Sequence, residues 1–218
     1  MRNLRRGKTG GITMLRKVVA HFSGGVDSTA AIILSLQNSN DGVRGLFIDY
    51  GQPYRLAEAT SVAALDAQIS ERFGNWLGYE TMQVSSLCTE QDYIPMRNLV
   101  LAAMSINYAL RIGAERIVTG SKRPFVDETD EWCFRDTGLE FFGAIEKTVE
   151  IGSQRGTIVP RFVHPLHNYR NGKKAAALQL IEAQGIDSAL LWSCFSNKQE
   201  PCGQCHACEE FQKARTGE

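Results

Sequence analysis

Short apolar runs alternate along the chain with longer segments in which apolar residues recur at helical spacing. The runs predicted to form strands span residues 17–22, 43–50, 80–86 and 115–121. The segments predicted to form helices span residues 27–36, 57–73, 98–113, 139–151 and 173–184. Several of the strands lack polar alternation, which is typical of a parallel sheet covered by helices on both faces. The pattern predicts a doubly wound α/β domain with a mostly parallel sheet.

Three segments follow from this order of elements. Residues 1–13 are basic and contain glycine, and we expect them to form a flexible arm without a function of its own. Residues 14–190 are predicted to form the α/β domain, and residues 191–218 a small tail. The chain has 218 residues, of which 43% are hydrophobic, and this is enough for one sizeable core.

Charge and hydropathy narrow the classes of function. The chain has 24 lysines and arginines and 24 acidic residues, so its formal net charge is zero. It therefore lacks a domain-wide basic field for DNA or RNA, and a small anionic substrate is favoured over nucleic acid. No apolar run approaches the roughly 20 residues that cross a bilayer, and the first residues lack the apolar core of a secretory signal. We expect a cytoplasmic protein that does not bind membranes.

The hexapeptide SGGVDS, residues 23–28, directly follows the first predicted strand. In a doubly wound sheet, ligands bind where the carboxyl end of a strand meets the N-terminus of a helix. Gly24 and Gly25 let the backbone approach an anion, and hydroxyl donors for phosphate oxygens are present at Ser23, Ser28 and Thr29. Asp27 repels phosphate by its charge, so we expect it either to cap the helix or to bind Mg²⁺.

The same hexapeptide distinguishes this chain from two other nucleotide-binding classes. The sequence contains neither a GxxxxGK[ST] segment nor a GxGxxG segment. SGGVDS instead resembles the PP-loop, SGGxDS, of the N-type ATP pyrophosphatases, which cleave ATP between the α and β phosphates and adenylate an oxygen atom. The resemblance implies an ATP site that consists of Ser23, Gly24, Gly25, Val26, Asp27, Ser28 and Thr29 and of the strand end Asp49, Tyr50, Gly51 and Gln52.

Four of the six cysteines are clustered in the tail, at Cys194, Cys202, Cys205 and Cys208. The last three are each separated by two residues, so successive turns can bring their thiolates to one ion, and Cys194 can supply the fourth ligand. Such a set favours a structural Zn²⁺ that stabilises the tail, with an iron–sulfur cluster as the alternative. His206 lies between these cysteines and is expected to face solvent.

Further motifs extend the resemblance over almost the whole chain, from Val18 to Cys208. They are SGGVDS, DYGQ at 49–52, YIPMRN at 93–98 and WSCF…CGQCHAC at 192–208. In this combination and order they resemble the QueC family of 7-cyano-7-deazaguanine synthases. The family motif YVPARN implies that Arg97 and Asn98 bind substrate, and the segment FRDTGLEF implies further substrate contacts at Asp136, Glu140 and Phe141. Catalytic roles are implied for Ser23, Asp27, Ser28, Arg97 and Lys174.

The resemblance implies an activity as well as a fold. QueC enzymes adenylate 7-carboxy-7-deazaguanine and convert it with ammonia, through the amide, to 7-cyano-7-deazaguanine, with release of AMP and pyrophosphate. The implied cofactors are ATP, Mg²⁺ and Zn²⁺, the implied partners are the deazaguanine and ammonia, and the implied assembly is a homodimer.

Departures from the family motifs leave other acceptors open. Thr137 and Gly138 stand where family members have cysteine and arginine, Tyr54 where a histidine follows DYGQ, and Phe211 where an arginine follows the last tail cysteine. The alternative is a QueC-like protein of antiviral operons that joins the deazaguanine to a protein amine or another acceptor. A tRNA-modifying PP-loop enzyme is disfavoured, because phosphate contacts require clustered lysine and arginine.

Overall fold

The sheet contains five strands, all parallel. The computed structural model describes residues 16–84, 94–122, 135–196, 198 and 200–217. The strands are β1 (Lys17–His21), β2 (Gly42–Asp49), β3 (Trp76–Gln83), β4 (Ala114–Val118) and β5 (Arg161–Val163), in the order β3-β2-β1-β4-β5. The chain moves outward from β1 to β3 and then returns to the other side of β1. The prediction of a doubly wound α/β fold is confirmed.

Helices cover both faces of this sheet. They are α1 (Val26–Asn38), α2 (Arg55–Arg72), α3 (Arg97–Ile112), α4 (Leu139–Gly152), α5 (Lys174–Ala183) and α6 (His206–Thr216). Side chains alternate along β1, so that Val18 and Ala20 pack with α1, α2 and α5, whereas Val19 packs with α3 and α4. The two apolar clusters lie on opposite faces, which explains why the strands read as continuous apolar runs.

Two strands differ from the sequence-based expectation. β3 begins at Trp76, four residues before the predicted start, although Gly78 with φ of +74° lies inside it. The pairing of β2 with β3 shifts register at the same place, so the glycine is accommodated within a strand that it interrupts. β5 was not predicted. It has three residues, and of these only Phe162 is buried.

The tail contains a helix as well as its cysteines. Helix α6 packs against α5, and its residues Phe211 and Ala214 lie against the apolar cluster that surrounds α1. The sequence predicted a small tail at residues 191–218. The structure shows that the tail shares the core of the α/β domain.

Several expectations fall outside the described residues, namely those for residues 1–15, for residues 85 and 86 of the predicted strand 80–86, for Tyr93 of the YIPMRN motif and for residue 218. Within the described ranges, no helix is both long enough and apolar enough to cross a membrane.

Candidate active site

A cavity of about 790 Å³ opens at the carboxyl edge of the sheet. Its wall is formed by the loop after β1, the end of β2, the start of α3, the loop after β4 and the cysteine-containing tail. The predicted site residues in this wall are Ser23, Gly25, Val26, Asp27, Ser28, Tyr50, Arg97, Asn98 and Lys174. Residues from separate parts of the sequence therefore meet at the edge of the sheet where doubly wound folds bind ligands.

The turn of residues 23–28 is held by contacts to α2 and to the tail. Gly24 has φ of +76°, and a Cβ atom there would lie 2.5 Å from Ser61 Oγ, so only glycine fits. The Gly24 carbonyl accepts a hydrogen bond from Trp192 N at 3.0 Å. Ser61 Oγ lies 3.0 Å from the same carbonyl and 2.6 Å from Leu190 O. These contacts fix the turn at the entry to α1.

The serine hydroxyls of the turn form a short chain. Ser28 Oγ donates to Gly25 O at 3.1 Å, so it is left to accept from Ser23 Oγ, which is also 3.1 Å away. Thr29 is fully buried and does not line the cavity, although its backbone N–H donates to Gly25 O. Ser23 and Ser28 are thus the hydroxyls of the turn that face the cavity.

Asp27 does not cap helix α1. The N-cap is Gly25, and no side chain accepts a hydrogen bond from the first turn. Asp27 Oδ2 instead lies 3.3 Å from Lys122 Nζ, and Asp27 Oδ1 is buried without a hydrogen-bond partner among the described residues. The capping alternative is therefore wrong, and a carboxylate with an unpartnered oxygen at this place suits a divalent cation.

The DYGQ turn after β2 is shaped by its own side chains. Asp49 Oδ1 accepts from Gly51 N, and Gln52 Oε1 accepts from Tyr50 N, both at 2.9 Å. Gln52 Nε2 donates to Glu58 Oε2 at 2.6 Å. These polar groups bond to the turn itself or to Glu58 in α2, and Tyr50 is the member of DYGQ that lines the cavity.

Glu58 is a site residue that the sequence did not indicate. It lines the cavity beside Tyr50, Tyr54 and Arg97. Burial raises the pKa of Glu58 to about 7, although the hydrogen bond from Gln52 and the charge of Arg97 act in the opposite direction. The one available signal was its position in the first turn of the helix that follows DYGQ.

The loop after β4 touches the PP-loop directly. A Cβ atom on Gly120 would lie 2.8 Å from Ser28 N and 2.9 Å from the carbonyl carbon of Asp27, so glycine is required for this approach. Two residues later, Lys122 reaches the Asp27 carboxylate. Neither residue was predicted, because the TGSK segment has no distinctive pattern of its own.

The end of β1 contributes a buried histidine. Ser105 Oγ donates to Leu101 O at 2.7 Å, so it accepts from His21 Nε2–H at 2.6 Å. Burial, with a smaller contribution from His164, lowers the pKa of His21 to about 4. A neutral ring therefore lines the cavity two residues before the PP-loop.

The residues expected to bind substrate separate into two groups. Asn98 lines the cavity and its Nδ2 donates to Asp136 O at 3.4 Å. Thr137 lines the cavity as well, whereas Asp136, Glu140 and Phe141 are absent from its described wall. Phe141 packs edge-on against Phe142 in the core beneath α4. The altered Thr137 position is thus closer to the site than the matching Glu140 and Phe141.

Lys174 is paired within the cavity wall. Its Nζ donates to Glu210 Oε2 at 2.6 Å, and only 13% of its side chain is exposed. Burial alone would raise the pKa of Glu210, but Lys174, followed by Lys122 and His206, holds that pKa below its usual range. The ion pair joins the start of α5 to helix α6.

The tail cysteines converge as the spacing predicted. The ligand atoms of Cys194, Cys202, Cys205 and Cys208 all lie within 4.8 Å of one another, and His206 is exposed outside this set. Tetrahedral thiolate ligands at about 2.3 Å from Zn²⁺ are spaced by roughly 4 Å, which these residues match. Backbone N–H groups of Ser196 and Cys202 also donate to Cys194 Sγ. These four residues, called the cysteine cluster below, can hold a metal ion, and Cys194 also lines the cavity.

A family model described as Queuosine biosynthesis protein QueC matches residues 17–216. The chain belongs to the QueC family. It is 31% identical over 212 residues to a 7-cyano-7-deazaguanine synthase of Synechococcus sp. (strain CC9902), with 88% of this chain and 89% of the relative covered. It is 26% identical over 219 residues to the synthase of Pseudoalteromonas translucida, with 92% and 94% covered.

A solved structure agrees with the fold of this QueC-family chain. It is the U34-tRNA thiolase NcsA from Methanococcus maripaludis with its [4Fe-4S] cluster, at a TM-score of 0.50 and 12% identity. The alignment covers 93% of this chain but 65% of the thiolase, so this chain spans slightly less than two thirds of that protein. The likeness supports the α/β fold described above.

Proposed function

We propose that this protein is an ATP-dependent ligase that converts 7-carboxy-7-deazaguanine and ammonia to 7-cyano-7-deazaguanine. The observation that carries the proposal is the convergence of the PP-loop, Arg97, Asn98 and Lys174 on one cavity. Membership of the QueC family supports the same reaction. The cavity volume of about 790 Å³ falls within the range of small-molecule sites, which is roughly 300–1,000 Å³.

The proposed chemistry uses ATP to make a leaving group. An oxygen of the substrate carboxylate attacks the α-phosphorus of ATP, and pyrophosphate leaves. Ammonia attacks the carbonyl carbon and loses a proton, and AMP leaves with the original carboxylate oxygen to give the amide. A second ATP activates the amide oxygen in the same way. Loss of AMP and of both nitrogen-bound protons then gives the nitrile.

The PP-loop supplies the proposed ATP site. Backbone N–H groups at the start of α1 and the hydroxyls of Ser23 and Ser28 would bind phosphate oxygens, because a helix N-terminus attracts anions. Asp27 would bind Mg²⁺, which neutralises the triphosphate. Tyr50 would contact the nucleoside, while Asp49, Gly51 and Gln52 keep the DYGQ turn in shape.

Two cations are proposed to act on the substrate side. Arg97 offers a planar pair of donors to the substrate carboxylate. Lys174 would stabilise the negative charge that develops on oxygen during each activation, after it has released Glu210 to contact the reacting group. Asn98 would bind the deazaguanine, and Asp136 would act through its backbone contact with Asn98. The proposed substrate contacts of Glu140 and Phe141 are supported by the family resemblance.

We propose Zn²⁺ as the metal of the cysteine cluster. The mutual distances within 4.8 Å suit one tetrahedral ion, whereas a [4Fe–4S] cluster places its irons between the thiolates and holds them farther apart. A bound Zn²⁺ supplies folding free energy to the tail. The cysteines take no part in the proposed reaction.

The test is a product analysis with purified, metal-loaded protein. Incubation with ATP, Mg²⁺, ammonia and 7-carboxy-7-deazaguanine should give the nitrile and AMP, both measured by mass spectrometry. Arg97→Met should abolish the nitrile, while Lys147→Ala, on the outer side of α4, should leave the rate unchanged. Production of neither nitrile nor AMP by folded wild-type protein would overturn the proposal.

A second candidate function is transfer of the activated deazaguanine to a protein amine or another amine acceptor. Thr137 favours it, because this departure from the family motif lines the cavity. The same incubation, with small primary amines in place of ammonia, distinguishes the two. Amide products formed faster than the ammonia product support the second candidate, and exclusive use of ammonia eliminates it.

A further inference from the structure

One cation beside the PP-loop has no role in the function proposed above. Lys122 follows β4, lines the cavity and places its Nζ 3.3 Å from Asp27 Oδ2 in the first turn of α1. Its side chain is 28% exposed, so the ammonium group is accessible from the cavity. A lysine in this place lies next to the backbone amides proposed to bind phosphate.

The backbone holds Lys122 in this position. Gly120 brings the loop against Ser28 N, as its missing Cβ atom would lie 2.8 Å from that nitrogen. On the other side of the loop, a Cβ atom on Gly172 would lie 3.4 Å from Lys122 Cβ, so the stem of the lysine packs on that glycine. Two glycines therefore fix the lysine between the PP-loop and the segment before α5.

The charges around the PP-loop leave Lys122 available for an anion. Lys174 is paired with Glu210 at 2.6 Å, whereas the Lys122–Asp27 contact is longer. Asp27 also has a second oxygen, unpartnered among the described residues, which suits a divalent cation. Once a cation binds Asp27, the Lys122 ammonium loses its present partner and can bind a phosphate oxygen beside it.

We propose that Lys122 binds the β- and γ-phosphates of ATP, exchanging Asp27 for them when Mg²⁺ and nucleotide enter. This inference rests on the proposed function and adds a residue to it. The ligand is a polyphosphate rather than the substrate carboxylate, because Lys122 follows β4, while Arg97 lies near Tyr50 after β2. Strands β4 and β2 flank β1 on opposite sides, so Lys122 and Arg97 lie at different parts of the cavity. We therefore assign the polyphosphate to Lys122 and the substrate carboxylate to Arg97.

The proposed contact acts on the leaving group. When a substrate oxygen attacks the α-phosphorus, the bond from that phosphorus to the bridging oxygen breaks and its electron pair stays on pyrophosphate. A compact ammonium charge placed against pyrophosphate stabilises the developing charge. No proton transfer from Lys122 is required.

A competing explanation is that Lys122 only neutralises Asp27. Two pairs of proteins separate these explanations by calorimetric titration of pyrophosphate in buffer that contains Mg²⁺. The first pair is wild type and Lys122→Ala. The second pair is Asp27→Asn and the double variant that combines Asp27→Asn with Lys122→Ala, in which the charge to be neutralised is gone.

We expect Lys122→Ala to weaken pyrophosphate binding about tenfold or more on both backgrounds, because a charge-assisted hydrogen bond is lost. Affinity for AMP, which lacks the β- and γ-phosphates, should change less than about twofold, and Lys122→Arg should restore part of the pyrophosphate affinity. Lys147→Ala is the matched control. Melting temperatures of all variants establish that they are folded.

Two outcomes overturn the inference. One is wild-type affinity for pyrophosphate in Lys122→Ala, and the other is an effect of Lys122→Ala that disappears on the Asp27→Asn background. Failure of the proposed function has a different signature, since folded wild-type protein would then produce neither nitrile nor AMP, whatever the affinity of Lys122→Ala for pyrophosphate.

Discussion

Two regions that face the same cavity are held in different ways. One is the turn of residues 23–28 at the entry to α1, called the PP-loop corner below, and the other is the cysteine cluster. The corner is fixed by hydrogen bonds between neutral groups, such as Ser28 Oγ to Gly25 O and Trp192 N to Gly24 O. The cysteine cluster brings four sulfur atoms within 4.8 Å, and thiolates at that distance repel one another unless a cation lies between them. The corner is thus complete before its ligand arrives, whereas we expect the cysteine cluster to gain stability from a bound metal ion.

The largest effect is expected from removing a metal ligand. Cys208 is buried in the first turn of α6, so Cys208→Ser should abolish stoichiometric metal binding and cost about 3 kcal/mol or more of unfolding free energy. For a chain of this size that corresponds to a melting temperature roughly 10 °C lower. Metal analysis and thermal denaturation measure both. Cys88→Ser, outside the cluster, is the control, and normal metal content in Cys208→Ser would contradict the assignment.

The next largest effect is expected where β4 meets the corner. Gly120→Ala places a methyl group 2.8 Å from Ser28 N, which forces the backbone apart at a cost of about 2 kcal/mol. The KM for ATP should rise roughly tenfold or more, since the amides proposed to bind phosphate shift. Gly143→Ala is the matched control, because nothing among the described residues lies within 4 Å of its new Cβ atom. Equal KM values in the two variants would show that the corner is not rigid.

We expect the stability of the protein to depend on pH through Glu58. Its pKa of about 7 exceeds the usual 4.5, so the folded protein binds the Glu58 proton more tightly than the unfolded chain does. This contribution to stability is complete below about pH 4.5, decreases as the pH rises to about 7 and is absent above that. Glu58→Gln should therefore gain roughly 3 kcal/mol relative to wild type between pH 4.5 and pH 8. Denaturant titrations at several pH values measure the difference, and a constant difference would refute the assignment.

The smallest effect is expected at the link between the corner and the tail. Ser61→Ala removes the hydroxyl that lies between Gly24 O and Leu190 O and should cost about 1 kcal/mol, with a modest rise in the KM for ATP. Thr60→Ala is the control, because its hydroxyl bonds only within the exposed surface of α2. A larger effect from Thr60→Ala than from Ser61→Ala would argue against the link.

The parts of the fold that could be predicted are those where an apolar run in the sequence is also buried in the structure. The apolar runs around Val19 and Phe47 form central strands because both faces of the sheet are covered. Strand β5 has no such pattern, since its pairing with β4 and its contact with α4 are what make it a strand. Helix α6 was missed because its cysteines indicated tight turns, whereas Phe211 packs it onto the core.

The residues of the candidate site also fall into two groups, those that a sequence motif reveals and those that no motif reveals. Residues whose backbone geometry demands a particular type, such as Gly24, produce a motif that can be found in the sequence. The same holds for the cysteine spacing, which the four-sulfur geometry confirms. Glu58, Lys122 and His21 carry no motif, because each acquires its environment from an element distant in sequence. Their contacts with Arg97, Asp27 and Ser105 exist only once the sheet is assembled.

The hydrogen bond from Trp192 N to Gly24 O joins two segments that the ribosome makes far apart in time. SGGVDS emerges among the early residues of the domain, and Trp192 emerges after all five strands have been synthesised. A nascent chain can therefore pair its strands while the turn proposed to bind the nucleotide still lacks its hydrogen bond from Trp192 N. Ligand-binding competence arises late in translation, when the C-terminal segment reaches the first loop.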